Sequence, residues 1–324
     1  MKKFILIAAL LSFAISPSFA GSYLFFVEAQ GVFGYSFAQN KTVYHSSTTD
    51  DPMQKNSIGF DLIKKFSSQT RDVLTAALQL RIAYDDGKDE AQLQIYNAYL
   101  KTKFPFGDIW LGHNRAAFGL ESYWDTHGAL LQSMPMYGLG YDRDWGAGFS
   151  KDTENGNISF SFTSGTGMPL EFDGNWLISS RVSKGILNYD NYTAGLSFMG
   201  GNVYDIMGYE IMRGSLSDIL LFSADFAYNY DNIEQKLQID LGRKTKDEVY
   251  SALYRVTLNF LEENKLKLEG QGVYVQTRRI NNYFLAAGAS YLLNSDLTAR
   301  IVYEYSHENG DGKVVGQLYY YFTI

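Results

Sequence analysis

Cysteine is absent from all 324 residues of the chain. This absence excludes a disulfide scaffold and a lipid anchor attached through an N-terminal cysteine. Proline is scarce, with five residues, and basic residues are outnumbered, with 28 Lys and Arg against 35 Asp and Glu. The acidic balance argues against nucleic acid as a partner, because binding to phosphates needs clustered basic residues.

Long apolar runs are missing except at the N-terminus. A basic segment at residues 1–3 precedes an apolar run, Phe4 to Ile15, and small residues follow just before Gly21. This order predicts a signal peptide over residues 1–20 and a single mature domain over residues 21–324. The run is shorter than the roughly 20 residues of a membrane-spanning helix. Cleavage would remove two lysines and lower the formal net charge from −7 to −9.

What the chain does contain is alternation. Between Val249 and Phe260 the residues Tyr250, Tyr254 and Phe260 share one parity, whereas Arg255 and Asn259 share the other. A β-strand turns successive side chains to opposite faces, so this segment has an apolar face and a polar face. Such a strand suits a soluble sandwich with its apolar face inside, or a membrane barrel with its apolar face in lipid.

Composition favours the barrel. Aromatic residues make up 16% of the chain and glycine occurs 30 times. Tyr and Trp form girdles at membrane interfaces, and glycine lets strands curve. The mean hydropathy of −0.19 is compatible with this, since half of every barrel strand is polar.

The alternation predicts about sixteen antiparallel strands, hence an all-β transmembrane barrel. Their expected bounds are Tyr23 to Phe37, Ser57 to Ser67, Val73 to Asp85, Gln92 to Phe104, Asp108 to Ala117, Asp144 to Lys151, Asn157 to Ser164, Ser179 to Leu187, Asn191 to Met199, Asp218 to Asn229, Glu234 to Gly242, Val249 to Phe260, Lys265 to Gln276, Asn282 to Leu292, Leu297 to Ser306 and Lys313 to Ile324.

Connection lengths support the barrel over the sandwich. The longer predicted connections, Ala38 to Asn56, Phe118 to Arg143 and Gly200 to Ser217, are all odd-numbered. Bacterial barrels have an even number of strands, short periplasmic turns and longer extracellular loops. A sandwich has no reason to follow this asymmetry.

Short motifs add a resemblance to a known family. Asn97 to Lys103 (NAYLKTK) and Leu111 to Glu121 (LGHNRAAFGLE), followed by Asp144 to Gly148 and Thr163 to Gly167, resemble consecutive motifs of phosphate-selective and related porins. Over the whole mature chain the architecture resembles the porin superfamily of sixteen-stranded outer-membrane channels. The motifs are short and degenerate, so the superfamily is better supported than the subgroup.

The resemblance implies a third extracellular loop folded into the lumen, where acidic loop residues face basic wall residues and select solutes. The connection after strand five is that loop. The resemblance further implies that the constriction is formed by wall and loop residues, namely Arg81, Lys101 and Arg115 of the wall with Glu121 and Asp125 of the loop. Strand parity and position add further lumen-lining candidates: Glu28, Tyr99, His113, Arg255, Arg300 and Glu304. The alternative for each constriction candidate is an ordinary solvated lumen charge or a part of a salt bridge that anchors the loop.

The expected function is a water-filled channel for passive diffusion of small hydrophilic solutes and ions. Inward carboxylates, such as Asp225 and Glu304, favour a weak cation preference over anion selectivity. A plugged barrel with a structural or surface-recognition role stays open as an alternative. We expect no enzyme, no cofactor and no metal site, because the four His residues have no nucleophile motif or ligand spacing beside them.

The resemblance also implies partners and a location. These are a homotrimer in the outer membrane of a Gram-negative-type bacterium, surrounded by its lipids. The last strand alternates Leu318, Tyr320, Phe322 and Ile324 on one parity, which resembles the terminal signal that the barrel insertion machinery reads. Ile324 departs from the aromatic residue usual at that end.

Overall fold

A computed structural model of the chain describes residues 22–46, 54–68, 72–122, 128–207, 210–278, 280–308 and 310–324. Its strands are β1 (Tyr23–Ser36), β2 (Lys41–Val43), β3 (His45–Ser46), β4 (Gln54–Lys55), β5 (Ser57–Ser67), β6 (Asp72–Asp85), β7 (Glu90–Phe104), β8 (Gly107–Arg115), β9 (Arg143–Thr153), β10 (Gly156–Thr163), β11 (Trp176–Lys184), β12 (Tyr192–Met207), β13 (Glu210–Tyr230), β14 (Ile233–Lys244), β15 (Asp247–Phe260), β16 (Leu266–Gln276), β17 (Asn281–Leu292), β18 (Leu297–Ser306) and β19 (Asp311–Thr323).

Within the described residues, helical structure is limited to single turns. Three 3₁₀ turns cover Gly119–Ser122, Met134–Tyr137 and Glu262–Asn264, and one α-helical turn covers Leu187–Asp190. In the part of the chain that the structure describes, no helix is long and apolar enough to cross a membrane. The predicted signal peptide, residues 1–20, lies outside the described residues.

The wall is a closed antiparallel barrel. Strands β1 and β5 to β19 pair in chain order, and β1 pairs with β19 from Phe26 opposite Thr323 to Ser36 opposite Lys313. Sixteen strands therefore close the ring, as predicted. The short strand β2 adds to the end of β1, and β3 and β4 form a separate small hairpin.

The outer surface of the barrel is apolar. Large apolar side chains on one face of every barrel strand except β9 stay exposed, among them Leu111 and Leu196 at 64% and Ile58 at 61%. Because exposed apolar surface is unfavourable in water, a continuous band of this kind suits a lipid environment.

One predicted connection is wrong. Residues Gly200 to Ser217, expected as a loop, belong to the long hairpin of β12 and β13, whose ladder runs to Met207 opposite Glu210. The segment breaks strict alternation with Asn202 and Asp205, but its backbone keeps pairing through a register shift beside Tyr204. The longest connections, residues 37–56, 116–142 and 164–175, leave the same end of the barrel, which we call the loop end. The opposite end is the turn end.

The inner face is not polar throughout. A buried apolar cluster joins inward side chains of β11 to β17 with the connection of residues 116–142. On the wall it includes Leu177, Met199, Leu221, Val249 and Leu253; from the connection it includes Phe118, Leu120, Met134, Tyr137 and Leu139. We call the wall part the loop-bearing wall. The expectation of a polar inner parity fails here because these side chains face protein instead of water.

Candidate functional site: the barrel lumen

The connection of residues 116–142 is hydrogen-bonded to inward-facing side chains of the wall. The backbone N–H of Gly119 donates to Ser197 Oγ at 3.0 Å, and that of Leu120 donates to Gln238 Oε1 at 2.9 Å. These contacts supply the free N–H groups at the start of a 3₁₀ turn with acceptors from β12 and β14. The wall therefore fixes this end of the connection.

Two arginines hold the middle of the connection. The Gln132 carbonyl accepts from Arg255 Nη2 at 3.2 Å and from Gln271 Nε2 at 3.1 Å, and the Gly128 carbonyl accepts from Arg300 Nη1 at 3.0 Å. Arg255 is 3% exposed. Arg255 and Arg300, predicted as lumen-lining residues, lie on the inner wall and bind the connection there.

A third attachment lies at the loop end. Just after the connection, the Asp144 carboxylate of β9 accepts from the backbone N–H groups of Gly165, Thr166 and Gly167, in the connection of residues 164–175, at 2.5, 3.1 and 3.0 Å. The Tyr141 hydroxyl lies 2.9 Å from the carbonyl of Tyr204. Burial, followed by the nearby carboxylates of Asp144 and Asp205, raises the pKa of Tyr141 well above its usual value, so the hydroxyl stays protonated.

A chain of amide side chains links Arg81 to Arg300 across the wall. Arg81 Nη1 donates to Gln54 Oε1 at 3.0 Å, and Gln30 Nε2 donates to the same oxygen at 3.0 Å. Gln317 Nε2 then donates to Gln30 Oε1 at 2.7 Å, and Arg300 Nη1 donates to Gln317 Oε1 at 2.7 Å. Arg81 thus lies on the inner wall, and this network joins it to the connection of residues 37–56.

A charged cavity of about 470 Å³ opens beneath the connection toward the turn end. Residues Ala129 to Leu131 form its upper edge, and inward side chains of β14 to β18 form its wall. Glu234 lies 3.5 Å from both Lys236 and Lys267, so one carboxylate pairs with two ammonium groups.

Beside this cavity, three aromatic rings face inward from β1 and β19. The rings of Phe26 and Tyr321 are 4.6 Å apart with planes within 15°, and those of Tyr319 and Tyr321 are 6.1 Å apart with planes within 11°. We call Phe26, Tyr319 and Tyr321 the aromatic strip. The Arg300 guanidinium lies 5.2 Å from the Tyr319 ring, which connects the strip to the cavity.

The remaining constriction candidates are spread along the barrel. Lys101 lies toward the turn end, with its Nζ 3.8 Å from Asp108. Arg115 is directly opposite Arg143 at the last pair of the β8–β9 ladder, and its backbone shares the outward strand parity of Leu111 and His113 instead of the inward parity expected for it. For Glu121 the structure describes the backbone of the Gly119–Ser122 turn, and Asp125 lies outside the described residues. The described residues therefore do not bring these five candidates together.

The other lumen-lining candidates have mixed placements. Tyr99 faces inward, opposite Ala77, whereas Glu28 and Glu304 face inward but are 0% and 2% exposed. His113 lies away from the lumen: the ladder pairs it with Ala98, and its ring is 4.9 Å from Trp145.

Trp145 belongs to a cluster with Leu78 and Leu80, which share the outer face of β6 with the exposed Ile82. Nearness to Arg115 in sequence suggested a lumen position for His113, but strand parity places it on the outer side.

The wall residues that hold the connection in place are not among the sites predicted from the sequence. They are glutamines and apolar side chains on the inner parity, namely Gln238, Gln271, Leu221 and Leu253. A usable signal existed, since Leu253 interrupts the polar parity of its strand. An apolar residue on a polar face indicates that protein covers that position.

Neither a family model nor a curated protein matches the sequence. Solved structures match its fold over nearly the whole chain. OmpF of Salmonella typhi, solved in complex with daunomycin, aligns with a TM-score of 0.66 at 12% identity, covering 93% of this chain and 97% of its own. The chain has the porin fold.

Other porin-fold structures also align over nearly the whole chain. The anion-selective porin from Comamonas acidovorans aligns with a TM-score of 0.65 at 12% identity, covering 93% of this chain and all of its own. The trimer form of OmpT from Vibrio cholerae has a TM-score of 0.65 at 10% identity, covering 94% and 100%. The shared feature is the closed barrel of sixteen antiparallel strands.

Proposed function

We propose that the protein is an outer-membrane porin that passes small hydrophilic solutes and ions by passive diffusion. The closed sixteen-stranded barrel carries this proposal, because an apolar outer surface surrounds an inner surface with charged groups and a cavity. The porin-fold neighbours support it at the level of fold. A cleaved signal peptide would deliver the chain to the outer membrane of a Gram-negative-type bacterium.

The connection of residues 116–142 then narrows the lumen instead of closing it. Its contacts to Ser197, Gln238, Arg255 and Arg300 support a position inside the barrel, and the cavity beneath it supports a remaining water path. Arg81, Lys101, Arg115, Glu121 and Asp125 are the groups we assign to selectivity, with a weak cation preference from the acidic balance of the chain. A homotrimer is the proposed assembly, as in the trimer form of the Vibrio cholerae protein.

Planar-bilayer recording of the purified full-length protein tests the function. We expect stepwise increases in ion current as single channels insert. A folded barrel, identified by its heat-dependent shift in gel mobility, that inserts without carrying current would contradict the proposal and favour the plugged alternative.

One contact favours an enzyme as a second candidate function. His45 Nδ1 lies 2.6 Å from Asp86 Oδ1, an arrangement that can orient an imidazole. Hydrolysis would also need a nucleophile or a positioned water beside the imidazole. As a channel, the protein should keep its conductance in a His45→Ala variant. Loss of a hydrolytic activity in that variant would favour the enzyme.

A further inference from the structure

The aromatic strip differs from other aromatic residues on the inner wall. Phe284 also faces inward, but it is 4% exposed and packs against Tyr137 of the connection. Phe26, Tyr319 and Tyr321 stay partly exposed although they share the inward parity of the buried residues Glu28, Gln30 and Gln317. Partly exposed aromatic rings inside a water-filled lumen are surfaces on which a solute can pack.

Polar groups of both signs flank these rings. The Tyr321 hydroxyl donates to Asp61 Oδ2 at 2.8 Å, and Glu28 is the direct neighbour of Tyr321 in the β1–β19 ladder. At the other end, the Arg300 guanidinium lies over the Tyr319 ring and binds the Gln317 side chain. The strip therefore combines flat apolar surface with hydrogen-bond donors and acceptors.

The electrostatics favour an uncharged solute. In the adjoining cavity, Lys236 and Lys267 already have Glu234 as a partner, so these ammonium groups are partly compensated. Beside the strip, the carboxylates of Asp61 and Glu28 would repel an anion, and Arg300 would repel a cation.

We propose that the aromatic strip is a binding site for the pyranose rings of a neutral oligosaccharide, an inference that rests on the proposed channel function. The C–H face of a sugar ring is apolar and packs on an aromatic ring, and its hydroxyl groups both donate and accept hydrogen bonds. The cavity of about 470 Å³ beside Arg300 gives room for a further part of the same molecule.

Sugar block of the ion current tests this site. Reconstituted wild-type protein is titrated with maltotriose and, separately, with cellotriose, while single-channel current is recorded. We expect reversible partial block by at least one sugar. The variant carrying Tyr319→Ala and Tyr321→Ala should need about tenfold more sugar for half block, as follows from losing two aromatic contacts.

Two variants provide the controls. Tyr320→Ala removes a tyrosine between the other two that faces outward and is 38% exposed, so its block should match that of the wild type. A variant carrying Tyr319→Phe and Tyr321→Phe keeps both rings and should keep most of the block. If the alanine variant does not fold, the phenylalanine variant still tests the proposal. Loss of block while both rings are present would show that the ring faces do not bind the sugar.

The outcomes separate the two proposals. Ion current without block by either sugar would overturn the saccharide site and leave the channel function standing. Block that is unchanged in the double alanine variant, or equally weakened by Tyr320→Ala, would also overturn the site. A folded barrel without any ion current would instead overturn the channel function on which the site rests.

Discussion

The loop-bearing wall and the aromatic strip occupy the same inner surface of one barrel but differ in chemistry. The former presents Leu221, Val249 and Leu253, each at most 1% exposed, to the connection of residues 116–142. The latter presents partly exposed rings beside Asp61 and Arg300 toward the lumen. Strand alternation determines which side chains point inward. Inward side chains are apolar where the connection covers them, and they combine aromatic with charged groups where they face the lumen.

The largest expected loss of stability comes from breaking a buried charge pair on the inner wall, between β11 and β13. Arg181 reaches past Gly195 and binds Asp225 through two hydrogen bonds of 2.5 and 3.0 Å, and both side chains are fully buried. An Asp225→Ala variant should lose about 3–5 kcal/mol of unfolding free energy, because it leaves a buried guanidinium without its carboxylate. Urea unfolding in detergent or lipid measures this loss.

A double variant, Arg181→Met with Asp225→Leu, is the matched control. Replacing a buried ion pair by apolar residues of similar size is often close to neutral, so it should regain most of the stability. If the double variant is as unstable as Asp225→Ala, the effect is due to packing and not to the unpaired charge.

Next in size is the contact between the loop-bearing wall and the connection. A Leu253→Ala variant should lose about 2–3 kcal/mol of stability, because a buried methyl-rich side chain is replaced by a cavity. Leu241→Ala, on the outer face where the leucine is 50% exposed, should cost less. Equal losses in the same unfolding assay would remove the distinction between a protein-covered inner face and a lipid-facing outer face.

A smaller effect is expected at Tyr141. Replacing it by Phe removes the hydrogen bond to the Tyr204 carbonyl and should cost about 1 kcal/mol at neutral pH. Because the folded-state pKa of Tyr141 is raised, its contribution is complete below the unfolded value of about 10 and is lost as pH rises above it. The difference in stability between wild type and Tyr141→Phe should therefore shrink above about pH 10. A difference independent of pH would contradict this assignment.

The smallest effect concerns selectivity at the loop end. An Arg115→Glu variant should be more cation-selective, because a positive group beside Arg143 becomes negative. The change is measured as a shift of the reversal potential in a salt gradient. Lys101→Glu, nearer the turn end, tests whether the position of the charge along the barrel changes its effect on ion selectivity. An unchanged reversal potential in Arg115→Glu would remove this residue from the selectivity groups.

The sequence predicted the barrel well because a period of two over sixteen segments leaves few alternatives. It misplaced the segment of Gly200 to Ser217, where backbone pairing continues through polar residues that interrupt the pattern. It also placed His113 in the lumen from its motif neighbours, although the outer cluster of Trp145 buries it. Several contacts between the connection and the wall join residues 63 to 172 positions apart, such as Gln132 and Arg255, so local sequence patterns do not reveal them.

Single-cysteine labelling tests the division of the inner surface most directly, because the natural chain has no cysteine. Thr298→Cys, in the cavity at the turn end, and Leu253→Cys, on the loop-bearing wall, are treated in the folded protein with a charged, water-soluble thiol reagent. We predict rapid labelling and reduced current for Thr298→Cys and little reaction for Leu253→Cys. Equal labelling of the two cysteines would contradict this division of the inner surface.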